Sequence, residues 1–218
     1  MRYLFRVEYD GAGYHGWQRQ ANGISVQEAL EKAFSTVTRQ ACAVTGSGRT
    51  DSGVHARRQA AHVDLNASVD TAQCERSVNA VLPDDISVFG MRAVDEAFHA
   101  RYGAIERRYR YCVSTRKSAL ARGRSWVVTY AVDWDAVGEN LSMVAGQHDF
   151  ATFCAAGSST ESTVCAVKRA ALEQHAHQWL FFLAADRFVY RMVRSIVGTA
   201  VEIGRGGCSE SMDVLLAS

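Results

Sequence analysis

The order strand, helix, strands occurs twice along this sequence, once in each half of the chain. In the first half, residues 3–9 alternate as a strand does, and a helix is predicted to follow the capping box of Ser25 and Glu28. Alternating residues then predict strands at 59–65 and 86–91. Because helices and paired strands mix within each half, the order favours layered sheets with helices packed on them.

The second half repeats this order. Its predicted elements are strands at 109–113 and 126–132, a helix capped by Asp133, strands at 167–172 and 179–184, and a last helix at 187–203. The last helix has a wide apolar stripe that includes Phe188 and Val189, so we expect it to be mostly buried. The predicted fold class is α+β, with two similar halves of mostly antiparallel sheets flanked by helices. We expect domains at 1–102 and 103–218.

Composition excludes several classes of protein. The chain has 218 residues, is 48% hydrophobic and has a net charge of +1, which is incompatible with disorder and with a uniformly basic coat. No apolar run approaches the roughly 18 residues that a membrane helix needs. The six cysteines form no CxxC pair, so we expect reduced thiols, no zinc site and a cytoplasmic location, with no membrane partner.

Charge is concentrated in one segment. Residues 101–124 contain eight basic residues and only one acid, Glu106. The basic residues alternate with three tyrosines, Tyr102, Tyr109 and Tyr111. Arginines beside aromatic rings are typical of surfaces that bind phosphates and stack bases, which favours RNA binding. A solvated face of a strand and loop is the alternative.

Two motifs point to other chemistry and are weaker. Residues 11–16 satisfy GxGxxG, but seven residues, 17–23, separate the motif from the helix whose N-terminus would have to bind a pyrophosphate. His148-Asp149 is found in metal-dependent phosphohydrolases, which need further histidine and aspartate ligands at helical spacing, and the chain has none. We therefore expect no nucleotide cofactor and no metal.

The stretch from Gly46 to Ala56 is the most informative. Its glycines and serines hold Arg49 and Asp51 two residues apart on a loop before a strand. Taken alone, Asp51 is either a turn residue that bonds to its own backbone or a functional carboxylate.

Several further blocks occur in order along nearly the whole chain. They are Tyr9-Asp10-Gly11, Gly16–Gln20, Gly48–His55, Asn79–Ile86, Phe98–Arg101, Tyr109–Tyr111, Gly146–Phe150 and Met192–Gly198. Together they resemble the TruA family of tRNA pseudouridine synthases. The resemblance implies the pseudouridine synthase fold and an isomerase that converts uridine to pseudouridine in the anticodon stem-loop of tRNA, at positions 38–40. It also implies a homodimer.

The resemblance also assigns residues. It implies that Asp51 is the catalytic nucleophile, that Arg194 pairs with Asp51, and that Tyr109 stacks on the target base. The arginines expected to bind RNA are Arg19, Arg49, Arg101, Arg107, Arg108 and Arg110. At C1′ of the ribose, the carboxylate can act as a nucleophile, stabilise an oxocarbenium-like state or serve as a base, and the residues alone do not choose among these roles.

The reaction itself limits the groups required. Isomerisation breaks the N1–C1′ bond and joins C5 to C1′ without hydrolysis or oxidation, so no cofactor is expected. An N-glycosidase that releases free uracil would generally need a second carboxylate to activate water, and the motifs contain none.

Two departures from the family pattern are visible. Ser52 stands where most members have alanine. The family usually continues past Leu215-Leu216 with a basic segment and a last strand, whereas this chain ends at Ser218, so we expect a truncated C-terminal half. A catalytically silent tRNA-binding paralogue is therefore the alternative function.

Overall fold

A computed structural model describes residues 1–157 and 160–218, and these divide into two compact units, Met1–Ala104 and Ile105–Ser218. Each unit has its own hydrophobic core between a largely antiparallel sheet and its helices. The α+β class predicted from the sequence is confirmed. Within the described residues, no helix is long and apolar enough to span a membrane.

Unit 1 is a four-stranded antiparallel sheet with two helices. Its elements are β1 (Arg2–Tyr9), α1 (Val26–Thr38), β2 (Val44–Gly46), β3 (Ala56–Asp64), α2 (Thr71–Val81) and β4 (Ile86–Val94), and the strand order is β2-β3-β1-β4. The predicted capping box begins α1, since the Ser25 side chain accepts a hydrogen bond from the backbone N–H of Glu28. Phe5 of β1 packs on Phe34 of α1 with ring centroids 5.0 Å apart, which joins the helix to the centre of the sheet.

The described part of unit 2 forms a five-stranded sheet with three helices. Its elements are β5 (Arg107–Ser114), β6 (Trp126–Val127), α3 (Trp134–Ser142), β7 (Gly146–Asp149), β8 (Val164–His175), β9 (Gln178–Ala185), α4 (Met192–Gly204) and α5 (Met212–Leu216). The strand order is β6-β5-β9-β8-β7, and among the strand pairs of the described residues only β5–β6 is parallel. Phe181 and Leu183 of β9 face a core that also contains the apolar side of α4.

Two predicted elements are corrected. The helix expected at 187–203 begins only at Met192, because Arg191 adopts a left-handed conformation with φ of 59° that interrupts it. Phe188 and Val189 nevertheless pack on the core. They are apolar because they are buried, although they lie outside the helix, and their spacing therefore predicted a helix that is too long. The strand expected at 126–132 is only two residues long. The sequence also did not predict β2, α2, β7 and α5.

Candidate active site

The loop between β2 and β3 carries Arg49 and Asp51, and its first residues are tied to the sheet. The backbone N–H of Ser47 donates to the carbonyl of Ala60 (2.8 Å). The side-chain amide of Gln59 donates to the carbonyl of Gly48 (2.9 Å). The backbone just before the exposed Arg49 is therefore held, while its side chain points to solvent.

The residue immediately before Asp51 is held by two aromatic residues. The hydroxyl oxygens of Tyr9 and Thr50 lie 2.8 Å apart, and the Tyr9 hydroxyl also donates to the side-chain carbonyl of Gln59 (3.0 Å). The backbone N–H of the buried Trp17 donates to the Thr50 carbonyl (3.0 Å). Both the side chain and the backbone of Thr50 are thus fixed.

The residues after Asp51 are held by a third aromatic residue. The carbonyl of Tyr14 accepts bonds from the Ser52 hydroxyl (3.2 Å) and from the backbone N–H of Gly53 (3.4 Å). The Ser52 bond is one that an alanine at this position could not make. The turn closes where the Val54 N–H donates to the Asp51 carbonyl (3.2 Å), so the backbone of Asp51 is anchored on both sides.

The carboxylate of Asp51 is partly exposed. Among the contacts within residues 1–104, it accepts no hydrogen bond and joins no ion pair. Carboxylates that only shape a turn usually bond to nearby backbone N–H groups, as Asp10 does to Ala12 (3.0 Å). The loop therefore has a fixed backbone and a carboxylate that no group of unit 1 pairs with. This favours the interpretation of Asp51 as a functional carboxylate over that of a turn residue.

The glycines of the GxGxxG stretch have a packing role here. A Cβ at Gly11 would lie 2.0 Å from the carbonyl oxygen of Val54, and one at Gly16 would lie 2.6 Å from that of Thr50. These glycines allow residues 11–16 to lie directly against the Asp51 loop. Residues Gly11–Gly13 form only a single 3-10 turn, and no α-helix begins within the motif, since α1 starts at Val26.

In unit 2, Tyr109 lies on the side of the sheet that faces the core. It pairs with Leu183 of β9, and its ring meets Phe188 edge-on with centroids 4.9 Å apart. Tyr111 and Val113, at alternate positions of β5, lie on the same side. The partly buried ring of Tyr109 is thus supported from one side by Phe188.

Arg194, in the first turn of α4, approaches this same side of the sheet. Helix α4 contacts β5. Burial raises the pKa of Tyr111, and the positive charge of Arg194 opposes that rise. Arg194 is exposed, whereas Met192, Ile196 and Val197 of the same helix are buried. The structure therefore brings Tyr109 and Arg194 to one side of the sheet of unit 2, whereas Asp51 and Arg49 belong to unit 1.

The predicted RNA-binding arginines occupy varied surroundings. Arg108 and Arg110 are exposed on the opposite face of β5 from Tyr109, because side chains alternate along a strand. Arg107, on the tyrosine side, donates to the backbone carbonyl of Asp186 (2.7 Å). The tyrosines and the exposed arginines of β5 thus do not form one surface, and the role of each arginine in binding RNA stays a prediction.

The two remaining arginines lie in unit 1. The side chain of Arg19 is 67% exposed and lies 3.7 Å from the carboxylate of Glu31. The guanidinium of Arg101 lies 5.9 Å from the ring centroid of the exposed Tyr102. Both arginines are placed where a phosphate in solvent could reach them.

Several residues that shape the site had no role assigned from the sequence. Tyr9, Tyr14, Trp17 and Gln59 hold the Asp51 loop, and Phe188 supports Tyr109. The signal for Tyr9 and Trp17 was the presence of the blocks at 9–11, 16–20 and 48–55 in one chain, but that presence does not say which atoms meet. No group of three or more histidine, cysteine, aspartate or glutamate side chains in the described part of the chain is arranged to hold a metal ion.

Comparisons with known proteins identify relatives of this chain. A family model described as tRNA pseudouridine synthase matches residues 6–103 and 141–216. The tRNA pseudouridine synthase A of Bacteroides thetaiotaomicron is 40% identical over 208 residues, which cover 94% of this chain and 77% of that protein. Those of Thermoanaerobacter sp. (strain X514) and Maricaulis maris are 39% identical over 206 and 208 residues, covering 94% of this chain and 84% of each protein.

Proposed function

The chain belongs to the tRNA pseudouridine synthase family, isomerases that convert uridine to pseudouridine, and from this we propose that it modifies uridines in the anticodon stem-loop of tRNA, at positions 38–40. The observation that carries the proposal is the Asp51 loop, with its backbone held on both sides and its carboxylate unbonded within unit 1. The catalytically silent alternative is not favoured, since the family match includes this loop and most of unit 2.

Asp51 is the proposed catalytic carboxylate. In the reaction the N1–C1′ bond breaks, the uracil turns, and a C5–C1′ bond forms, while C5 loses a proton and N1 gains one. An ionised carboxylate is needed at C1′, whether it attacks the carbon or stabilises positive charge there. A loop whose backbone cannot shift is suited to this, because catalytic groups must be placed to within a fraction of an ångström.

Arg194 and Tyr109 are the proposed partners of Asp51 and of the target base. A guanidinium beside a carboxylate in a water-poor site opposes the tendency of burial to neutralise that carboxylate. A ring held edge-on by Phe188 is restrained in orientation, so it can stack on a uracil with little further loss of freedom. Both residues lie on the same side of the sheet, which supports a common role.

Extrusion of the target nucleotide explains the need for arginines. A base inside a stem cannot reach a carboxylate, and extruding it costs roughly a few kcal/mol. Contacts between phosphates and exposed arginines such as Arg19, Arg49, Arg101, Arg108 and Arg110 would offset that cost. Arg107, already bonded to the Asp186 carbonyl, is proposed to contribute through its remaining donors.

We also propose a homodimer that works in the cytoplasm, where tRNA is modified. The outer face of the unit 2 sheet supports self-association at the end away from Arg108, where the partly exposed Leu180 of β9 pairs with Cys112 of β5. Analytical ultracentrifugation at micromolar concentration should give twice the chain mass, and Leu180→Glu should give the monomer. A monomeric wild-type protein would contradict this part of the proposal.

The reaction is tested with tRNA that carries tritium at C5 of uracil. The wild-type protein should release tritium to water without releasing free uracil. Asp51→Asn should lower the rate by at least about 100-fold while tRNA binding is retained. Asp84→Asn is the matched control, since Asp84 is exposed and lies in a turn outside the candidate site, and it should retain full activity. Turnover by Asp51→Asn would remove Asp51 from the mechanism.

The proposed position is tested with single base changes. Replacing the uridine at position 38, 39 or 40 by cytidine, one at a time, in a tRNA that has no other uridine in that stretch should abolish tritium release. A tRNA with its anticodon stem-loop intact and uridines elsewhere changed should be modified normally. The opposite pattern would leave the family assignment intact and refute the anticodon stem-loop as the target.

A further inference from the structure

Tyr14 makes two sets of contacts at its opposite ends. Its backbone carbonyl accepts the bonds from Ser52 and Gly53 that hold the chain directly after Asp51. Its phenol donates to a carboxylate oxygen of Asp85 at 2.6 Å. The residue is buried, with 7% of its surface exposed, so both ends are fixed together.

Asp85 is itself well anchored. It ends a turn closed by the bond from the Ile86 N–H to the Pro83 carbonyl (3.0 Å), immediately before β4. Its own backbone carbonyl accepts the N–H of Asp10 at 2.9 Å. Asp85 therefore holds residues 10–14 at both ends, at Asp10 by its backbone and at Tyr14 by its side chain.

One hydrogen-bonded path connects Asp85 to the Asp51 loop. From the carboxylate of Asp85 the path passes to the hydroxyl of Tyr14, along that residue to its carbonyl, and from there to Ser52 and Gly53. Charge-assisted hydrogen bonds are short and directional. Loss of the phenol–carboxylate bond would remove the side-chain anchor of Tyr14, whose backbone carbonyl holds the chain directly after Asp51.

We propose that Asp85 is a positioning residue that acts through Tyr14 to set the orientation of the Asp51 carboxylate. This inference rests on the proposed role of Asp51 as the catalytic group. Neither Asp85 nor Tyr14 contacts the substrate in this assignment, so both should affect the rate of the chemical step and not the affinity for tRNA.

The test compares kcat and KM for tritium release by full-length variants. Tyr14→Phe and Asp85→Ala should each lower kcat by about 10- to 100-fold, because a small displacement of a catalytic group is costly, and leave KM within twofold. Asp85→Asn keeps an oxygen acceptor for the phenol and should recover kcat to within about threefold of wild type. The double variant Tyr14→Phe/Asp85→Ala should be no slower than the slower single variant, since both changes break one bond.

Asp84→Ala provides the control, because Asp84 lies next to Asp85 in the same turn, while the bond from the Tyr14 phenol goes to Asp85; it should retain wild-type kcat. All rates are compared well below each variant's Tm. A wild-type kcat for Tyr14→Phe, a change in KM alone, or losses that multiply in the double variant would each overturn the proposal. Should Asp51→Asn remain active, the proposed catalytic role of Asp51 would fail, whatever the Tyr14 variants show. A wild-type protein that released no tritium would refute the proposed function itself.

Discussion

Replacing Gly16 by alanine would test whether close packing positions Asp51. Gly16 has φ of +89°, and a Cβ there would lie 2.6 Å from the Thr50 carbonyl oxygen and 3.2 Å from the carbonyl carbon of Asp51. Ordinary contacts of this kind begin at 3.4 Å. The neighbouring atoms are backbone and cannot rotate away, so Gly16→Ala should push the Thr50–Asp51 segment by about 0.8 Å, the difference between 3.4 Å and 2.6 Å.

Two costs can be worked out from this geometry. The left-handed backbone should cost an alanine about 1–2 kcal/mol, and overpacking should cost about 1–3 kcal/mol more. The free energy of unfolding should therefore fall by about 2–5 kcal/mol, out of the roughly 5–15 kcal/mol typical of a domain. A displacement near 1 Å should lower kcat by about 100-fold, equivalent to about 2.7 kcal/mol in the activation free energy.

The assay measures tritium release and thermal unfolding for Gly16→Ala and for Gly13→Ala in parallel. Gly13 lies in the same segment, and a Cβ there would meet nothing within 4 Å, so Gly13→Ala should match wild type in kcat and Tm. A folded Gly16→Ala protein with kcat within threefold of wild type would refute the claim that this contact positions Asp51.

Three further changes test other parts of the structure. Tyr109→Ala should lower kcat/KM by about 5- to 150-fold, because stacking of a base on an aromatic ring contributes about 1–3 kcal/mol. Tyr109→Phe keeps the ring and should stay near wild type. Equal losses in the two variants would argue against stacking. Burial lowers the pKa of His62, so the unfolded chain binds a proton first as pH falls below about 6.5, and stability should decrease there. His62→Gln should flatten that slope in denaturant titrations, whereas His177→Gln, at an exposed site, should not; an unchanged slope in His62→Gln would contradict the assignment. Burial raises the pKa of Cys165 to about 11, so iodoacetamide at pH 8 should label Cys208 before Cys165 in the native protein, and the reverse order by mass spectrometry would be inconsistent with that burial.

Elements with strong local signals were predicted well. The helix α1 begins where Ser25 and Glu28 predicted it, because a capping box satisfies backbone donors within a few residues and needs no distant partner. The helix α2 was not predicted although Asp70 caps it, because its buried side is narrow, with only Cys74 and Val78 fully covered. Short apolar patterns of this kind do not separate helix from loop.

In the candidate site, too, local patterns predicted some features and missed others. The alternation of β5 was predicted, and it already implies that Arg108 and Arg110 point away from Tyr109, yet the cluster of basic residues favoured a single RNA-binding surface. The GxGxxG stretch matches a nucleotide-binding pattern, but its glycines allow close packing of the backbone. The sequence pattern alone does not distinguish these two roles, because they differ in the structure that lies opposite the glycines. In this chain that structure is the segment from Thr50 to Val54.

By itself, the sequence determined the fold class and, through its resemblance to a family, the residue expected to carry the chemistry. The fold class follows from local periodicity and helix caps, which act over a few neighbouring positions, whereas the resemblance follows from blocks that occur in order along the chain. Only the tertiary structure decided how Asp51 is held, since Tyr9, Tyr14, Trp17 and Gln59 reach its loop from distant parts of the chain. Hydrogen bonds and backbone contacts depend on atomic distances, and distances between residues far apart in sequence are set only when the sheet and its loops pack together.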